Sequence, residues 1–216
     1  MNADLIENTI SFVKKELENA EGGHDWFHIE KVYNSAMHIS KNENCDKTIV
    51  ALGALLHDIA DSKFHGGDET VGPRVAREFL ESQNVPEEII IHVVNIIENI
   101  SFKGGNFERK FSSLELSVVQ DADRLDAIGA VGIARCFNYG GFKNRPIYNP
   151  EIAPDLNMGK EEYKNSVSPT INHFYEKLLL LKDRMNTASG KKIARERHVF
   201  MEKFLEQFFA ECDGIL

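Results

Sequence analysis

The chain has 216 residues, of which 42% are hydrophobic and 27% are charged, and its formal net charge is −9 at pH 7. This length and apolar content allow a sizeable core, in one large domain or two small ones. The acidic balance argues against a general nucleic-acid binder, because neutralising phosphates requires a basic face. A nucleotide-sized ligand needs only a few local cations.

Cysteine usage and hydropathy both favour a reducing, aqueous compartment. Cys45, Cys136 and Cys212 are odd in number and form no CxxC pattern, which favours reduced thiols over a disulfide or a zinc site. The N-terminus lacks a basic region followed by an apolar stretch, and no apolar run approaches ~18 residues. The sequence therefore predicts a soluble, cytoplasmic protein that does not associate with a membrane.

Helical periodicity dominates the first half of the chain. Asp46 is a plausible N-cap, and Pro86 lies at the start of a predicted helix whose first turn is acidic. The predicted helices run from Leu5 to Leu17 with an end at Gly22 and Gly23, over about 25–42, from Asp46 through His57 and Asp58, from Glu69 to Gln83, and along Ile89 to Ile97.

The second half contains a long irregular segment between predicted helices. Leu114 to Ile133 is predicted to form one or two helices, and two more are predicted over about 170–185 and 189–212. Between them, about 140–169 contains four of the six prolines, and a loop of that length often covers a site. Because no alternating strand pattern appears, we predict an all-α, single-domain fold over 1–216.

An imidazole and a carboxylate stand side by side in an apolar run. His57 and Asp58 interrupt the segment Ala51 to Ala60, in which every other side chain is apolar or absent. Burying an ionised carboxylate without a partner costs several kcal/mol, so such groups are normally paired or bound to a metal. The pair therefore predicts a cation site, and the remaining ligands must come from other helices.

Two further helices offer ligands of the right chemistry. His28 lies beside the apolar stripe of the second predicted helix, and Asp123 lies in a second apolar helix that carboxylates interrupt. Two imidazoles and two carboxylates suit Mn²⁺, Fe²⁺, Co²⁺, Ni²⁺ or Zn²⁺. Four protein ligands on an octahedral ion leave two positions for water and a substrate oxygen, as metal-dependent hydrolysis requires.

The order His28, His57 with Asp58, then Asp123 resembles the HD superfamily of metal-dependent phosphohydrolases. The segments Asp25 to Val32 and Ala122 to Leu125 resemble the family's first-histidine and last-aspartate motifs. The longer patterns resemble a bacterial subgroup of stand-alone HD hydrolases that includes the YpgQ-like nucleotide pyrophosphohydrolases; they cover His24 to Val32, His57 to Phe64, Ile100 to Gly105 and Gln120 to Arg135. The resemblance implies an HD-type helical bundle with its core motifs within 24–135 and a metal site between central helices.

The resemblance also assigns the ligands. It implies His28, His57, Asp58 and Asp123 as the metal ligands. Asp126, on the same helix face, is the alternative to Asp123 and would otherwise hydrogen-bond a ring nitrogen of His28 or His57. Asp121 is the weakest candidate of the three. His24 could orient a ligand in the same way.

Other site roles follow from the resemblance and from position. In related HD hydrolases, an acidic residue near the position that Asp61 occupies here orients or deprotonates the attacking water. Asp61 is therefore the predicted catalytic base. The predicted substrate-binding residues are Lys63, Lys103 and Arg124 for the phosphates, and Trp26 and Phe64 for walling the pocket or stacking on a base.

The number of histidines favours one metal ion. HD relatives with two metals need further histidines between the His–Asp pair and the last aspartate, and here only His65 and His92 lie there. We therefore expect one divalent ion, with Mn²⁺ favoured and Ni²⁺, Co²⁺, Fe²⁺, Mg²⁺ and Zn²⁺ as alternatives. A diiron oxygenase is correspondingly disfavoured.

The predicted function is hydrolysis of a small-molecule nucleotide by a metal-activated water. A nucleoside or deoxynucleoside triphosphate pyrophosphohydrolase is the leading hypothesis. A 5′-nucleotidase-like phosphomonoesterase and a non-catalytic nucleotide sensor are the alternatives. The C-terminal apolar residues Phe200, Phe204, Leu205, Phe208 and Phe209 have helical spacing and are expected in the core; the alternative is a homodimer surface.

Overall fold

The computed structural model of the protein describes residues 3–18, 25–60, 68–100, 111–157 and 167–216. These residues form nine α-helices and one 3₁₀ helix, and no strand occurs among them. The all-α prediction is confirmed. Contacts divide the chain into two compact units, Met1–Asp123 and Arg124–Leu216. The predicted single-domain organisation over 1–216 stays a prediction.

The helices of the first unit begin largely where the sequence predicts. They are α1 Ala3–Glu16, α2 Trp26–Ile39, α3 Lys47–Leu56, α4 Val71–Ser82, α5 Glu87–Asn99 and α6 Leu114–Asp126, whose last three residues belong to the second unit. Asp46 caps α3 as predicted, because its Oδ1 accepts hydrogen bonds from the N–H groups of Thr48 and Ile49 at 2.7 and 3.1 Å. Pro86 is the N-cap residue of α5.

α3 lies in the middle of the first unit's core. All its residues from Ile49 to Leu56 are buried. The helices α2, α5 and α6 bury apolar side chains as well, with Ile29, Val93 and Val119 fully inaccessible to solvent. Burying a side chain of this kind contributes about 1.5–3 kcal/mol. A helix that is apolar all round is stable only where other helices cover it. The neighbouring helices of the first unit cover α3 in this way.

The predicted extent of α3 is wrong at its C-terminal end. The helix ends at Leu56, so His57 is its C-cap residue and Asp58 lies in the turn that follows. His57 keeps helical dihedral angles, with φ −61° and ψ −29°. The apolar run continues through Ile59 and Ala60, and periodicity alone therefore did not reveal the end of the helix.

The second unit contains three α-helices and the 3₁₀ helix: α7 Gly129–Phe142, α8 Asn172–Glu176, the 3₁₀ helix Leu178–Arg184 and α9 Ala188–Cys212. A cluster of aromatic rings packs beside its buried aliphatic side chains. Phe174 stacks on Phe204 with 5.7 Å between ring centroids, and Phe137 contacts both of them. Such aromatic pairs add about 0.5–1.5 kcal/mol each beyond burial of their area.

Three predictions for this unit need correction. The predicted helix over about 170–185 is a short α-helix followed by a 3₁₀ helix, because Lys177 has non-helical angles of φ −145° and ψ −56°. The segment predicted as irregular from about 140 begins later, since α7 continues to Phe142; residues 158–166 lie outside the described part. Phe200 is 50% exposed and not in the core, whereas Leu205 is buried.

Among the described helices, none is both long and apolar enough to cross a membrane.

Candidate metal centre

His28 is held at the start of α2. It is the third residue of the helix, and the Oδ1 of Asp25 accepts a hydrogen bond from its backbone N–H at 3.0 Å. This N-cap fixes the first turn of the helix and therefore the backbone position from which the imidazole extends. The residue is buried, with 3% of its surface exposed.

His57 presents its Nε2 atom to the site. Its Nδ1 lies 2.9 Å from the backbone oxygen of Ala54. A carbonyl oxygen only accepts hydrogen bonds, so Nδ1 carries the hydrogen and the lone pair of the ring is on Nε2. A ring held in this tautomer by a backbone carbonyl is a common arrangement for a histidine that ligates a metal.

Asp123 brings a carboxylate oxygen to both rings. Its Oδ1 lies 3.6 Å from the Nε2 of His28 and 3.9 Å from the Nε2 of His57. The rings themselves meet edge to face, with 5.4 Å between their centroids. Both distances from Oδ1 are too long for a hydrogen bond, so the three groups converge without being directly bonded to one another.

Asp58 completes the set. One ligand atom each from His28, His57 and Asp58 lies within 4.8 Å of the others, and among the described residues this is the one group of three or more such side chains that could hold a metal ion. Donors on one ion with bonds of about 2.1 Å lie roughly 3 Å apart at right angles and roughly 4.2 Å apart when opposite. The spacing of the three groups is therefore close to that of ligands on a single ion.

The electrostatics of the cluster also fit a cation. The Nε2 lone pair of His57 faces the Oδ1 of Asp123, and both atoms are electron-rich. Two such atoms repel each other, and a positive charge between them removes that repulsion. A divalent ion supplies that charge, and the mixed nitrogen and oxygen donors suit one. The chain thus has a candidate site for a divalent metal.

The alternative fourth ligand, Asp126, has a different partner. Its carboxylate is buried, 3% exposed, and forms an ion pair with Arg135 of α7. Nearby, the guanidinium of Arg197 donates a hydrogen bond to the backbone oxygen of Leu125. Burial lowers the pKa of Arg197, and the negative charge of Asp126 opposes that shift. Its predicted hydrogen bond to a ligand imidazole stays a prediction.

Two predicted substrate-binding residues can be described. The guanidinium of Arg124 donates a hydrogen bond to the backbone oxygen of Arg184 at 2.6 Å, and its contact with a phosphate stays a prediction. Trp26 is half-buried, and the Nζ of Lys14 lies 4.6 Å from its ring centroid. Trp26 and His28 lie about 200° apart around the helix axis, so their side chains leave α2 in different directions. A contact between Trp26 and the substrate therefore stays a prediction.

The remaining predicted site residues are Asp61, Lys63, Phe64, Lys103 and His24, and all lie outside the described residues. Their roles stay predictions.

His92, one of the two intervening histidines, has other neighbours. Its Nε2 lies 2.9 Å from the Oγ of Ser113 and 3.4 Å from a carboxylate oxygen of Glu115. The Oγ of Ser113 also accepts a hydrogen bond from the N–H of Leu116 in the first turn of α6. His92 therefore helps to hold the start of α6.

Two supporting groups were missed by the sequence analysis. Asp25 could have been found, because an aspartate three residues before a histidine at the start of a helix has N-cap spacing. The backbone oxygen of Ala54 has no signature in a sequence, since every residue carries one. It was recognisable only once the end of α3 was known.

Comparisons with known proteins agree with this site. The family model of the HD domain matches residues 26–128, which contain all four candidate ligands. The protein YpgQ of Bacillus subtilis is 37% identical over 212 residues, covering 97% of this chain and 94% of YpgQ. The crystal structure of an HD-superfamily hydrolase from Bacillus thuringiensis is 44% identical with a TM-score of 0.79, covering 97% of each chain.

A crystal structure of Bacillus subtilis YpgQ in complex with ADP superposes with a TM-score of 0.75. It is 33% identical in that superposition and covers 96% of this chain and 95% of the YpgQ chain. The similarity therefore extends through both compact units. The chain belongs to the HD-domain superfamily and is an HD-superfamily hydrolase.

Proposed function

We propose that this hydrolase acts on nucleotides and that it releases pyrophosphate from nucleoside or deoxynucleoside triphosphates. The observation that carries the proposal is the convergence of the Nε2 atoms of His28 and His57 with the carboxylates of Asp58 and Asp123. A related protein of similar length, YpgQ, binds ADP in its crystal structure, which supports a nucleotide as the ligand.

The proposed cofactor is one divalent ion, with Mn²⁺ favoured over Ni²⁺, Co²⁺, Fe²⁺, Mg²⁺ and Zn²⁺. The four residues above would hold it. When bound, such an ion lowers the pKa of a coordinated water and polarises a phosphate oxygen. Mixed imidazole and carboxylate ligands suit several of these metals, so the choice among them rests on metal titration.

The chain's own residues would carry the rest of the reaction. The carboxylate of Asp61 would orient the attacking water and accept its proton. The water oxygen forms a bond to the α-phosphorus, the bond between that phosphorus and the α–β bridging oxygen breaks, and pyrophosphate leaves with the electron pair. Lys63, Lys103 and Arg124 would hold phosphate oxygens, and Trp26 and Phe64 would contact the base or line the pocket.

Asp58 and Asp123 have a different proposed role from Asp61: the first two are metal ligands, and Asp61 acts on the attacking water. Asp58 and Asp123 lie with the imidazoles at ligand spacing, so their removal acts on the ion itself. Asp61 is assigned to the water, so its removal acts on the rate. This division gives the proposal separate consequences for metal content and for turnover.

The test is a panel of nucleoside mono-, di- and triphosphates with Mn²⁺, with orthophosphate and pyrophosphate detected separately. We expect pyrophosphate and the nucleoside monophosphate from triphosphates, and no product from the His57→Ala variant. Orthophosphate from monophosphates would instead indicate a 5′-nucleotidase-like phosphomonoesterase. Nucleotide binding with release of neither product would contradict the proposal and favour a sensor.

Two further expectations stay predictions. One is a homodimer formed through the C-terminal helix, and sedimentation of the purified protein would measure its oligomeric state. The other is a cytoplasmic location, and fractionation of cells would check it.

A further inference from the structure

A glycine lies at the point where α3 meets its neighbours. Gly53 is buried, and a Cβ atom built on it would lie 3.2 and 3.3 Å from two side-chain atoms of Ile96 on α5. The same Cβ would lie 3.5 Å from the Cγ2 of Val119 on α6. The two contacts with Ile96 are tighter than nine in ten real Cβ contacts, so a methyl group here requires Ile96 to shift by a few tenths of an ångström.

The two ligands on α3 and α6 lie one turn beyond this contact. His57 follows Gly53 by four residues, and Asp123 follows Val119 by four. Residues four apart lie on the same face of a helix, and His57 keeps helical dihedral angles. The close approach at Gly53 therefore controls how near the side chains of His57 and Asp123 come to each other.

Gln120 fixes the register of α6 at the same level. It is buried, and its Nε2 donates hydrogen bonds to the backbone oxygens of Asn99 at 2.9 Å and Ile100 at 3.3 Å. These oxygens end α5, where carbonyl groups have no partner within their own helix. The amide thus ties α6 to the end of α5 one turn before Asp123.

We propose that Gly53 is a positioning residue of the metal site: its missing side chain sets the 3.9 Å spacing between the Nε2 of His57 and the Oδ1 of Asp123. Gln120 holds α6 in the register that this spacing requires. The inference rests on the metal site of the proposed function, but it concerns affinity for the ion and is independent of which nucleotide is hydrolysed.

The experiment compares Mn²⁺ affinity between the full-length chain and its Gly53→Ala variant, using electron paramagnetic resonance of the free ion. A methyl group at this position must displace Ile96 or separate the helices by a few tenths of an ångström. We expect the dissociation constant for Mn²⁺ to rise about tenfold, since ligand sets tolerate displacements of only about half an ångström.

Thermal unfolding in the presence of a chelator separates positioning from folding. Alanine has a higher helix propensity than glycine, which offsets the cost of displacing Ile96, so the melting temperature of Gly53→Ala should change little while Mn²⁺ affinity falls. A purely structural role would move both quantities in the same direction.

A rescue variant and a control sharpen the test. Ile96→Val removes the nearest contacting atom, so Gly53→Ala with Ile96→Val should recover most of the lost affinity. Gly141→Ala makes the same change near the end of α7, where an added Cβ would meet nothing within 4 Å, and should leave affinity unchanged.

Mn²⁺ affinity in Gly53→Ala equal to that of the natural chain would overturn the inference, and so would an equal loss in Gly141→Ala. If Gly53→Ala does not fold, Gln120→Met decides: a severalfold weaker affinity supports the inference, and an unchanged affinity overturns it. A natural chain that binds Mn²⁺ but releases neither phosphate product contradicts the proposed function alone.

Discussion

Imidazoles and carboxylates have different neighbours in the two compact units. In the first unit, the Nε2 atoms of His28 and His57 face the Oδ1 of Asp123 at 3.6 and 3.9 Å, with no hydrogen bond at those distances, and the Asp123 side chain is 39% exposed. In the second unit, the carboxylate of Asp126 is buried and forms an ion pair with Arg135. An aspartate thus has a guanidinium beside it in one place and two imidazole nitrogens in the other.

The imidazoles show the same contrast. His173 in the second unit is half-buried near two cations, Lys177 and Arg145, and its pKa is lowered to about 4, mainly by desolvation and then by these charges. It therefore stays neutral at neutral pH. In the second unit the chain supplies the cations beside these groups, whereas the imidazoles and carboxylates of the first unit converge in a way that suits a bound divalent ion.

Removing one of the proposed metal ligands should have the largest effect on metal binding and on hydrolysis. We expect His57→Ala and Asp58→Ala to weaken Mn²⁺ binding at least about 100-fold and to abolish hydrolysis, because each removes a bond to the ion. Titration with Mn²⁺ and the nucleotide panel measure this. His92→Ala is the matched control, since its imidazole lies against Ser113 and Glu115; it should keep the metal. Undiminished Mn²⁺ binding in His57→Ala would show that the site is elsewhere.

The Asp61→Ala variant should retain metal binding but lose most of the turnover. The variant is expected to bind Mn²⁺ as the natural chain does and to turn over about 100-fold more slowly, since general acid–base catalysis contributes roughly 10²–10⁴-fold. Metal content and kcat are the two measurements. Loss of the metal would mean that Asp61 is a ligand and that its assigned role is wrong.

Exchanging each α6 carboxylate for an amide tests the comparison directly. Asp123→Asn should weaken Mn²⁺ binding about tenfold or more and leave the metal-free fold as stable as before, because it removes a carboxylate that faces the Nε2 atoms of both imidazoles without a hydrogen bond. Asp126→Asn should keep Mn²⁺ affinity and lower the free energy of unfolding by about 2 kcal/mol, since the charge of Arg135 loses its partner. Chemical denaturation with a chelator and Mn²⁺ titration measure the two effects. The opposite pattern would make Asp126 the ligand.

The sequence predicted which imidazoles and carboxylates converge better than it predicted the geometry around them. Asp46 was predicted to start α3, and Asp25 had the spacing of a cap, because capping depends on side chains within three residues. The end of α3 at Leu56 was not predicted, since the apolar run continues and packing decides where the helix stops. Likewise, the ion pair of Asp126 joins residues on two helices and leaves no local pattern in the sequence.

The smallest expected effect is a dependence of stability on pH that belongs to the second unit. Because burial and nearby cations lower the folded pKa of His173 from 6.5 to about 4, the unfolded chain takes up a proton first as the pH falls. The stability contributed by the neutral imidazole is therefore complete above about pH 6.5 and is lost between about pH 6.5 and about pH 4. From about pH 7.5 to about pH 5.5, the natural chain should lose about 1 kcal/mol more than His173→Gln does. Urea unfolding of both chains at the two pH values, with a chelator present, isolates this difference because every other histidine is common to them. Equal losses would mean that His173 is protonated in the folded chain. The second unit would then hold a buried cation among cations, and the contrast with the metal site would fail for its imidazoles.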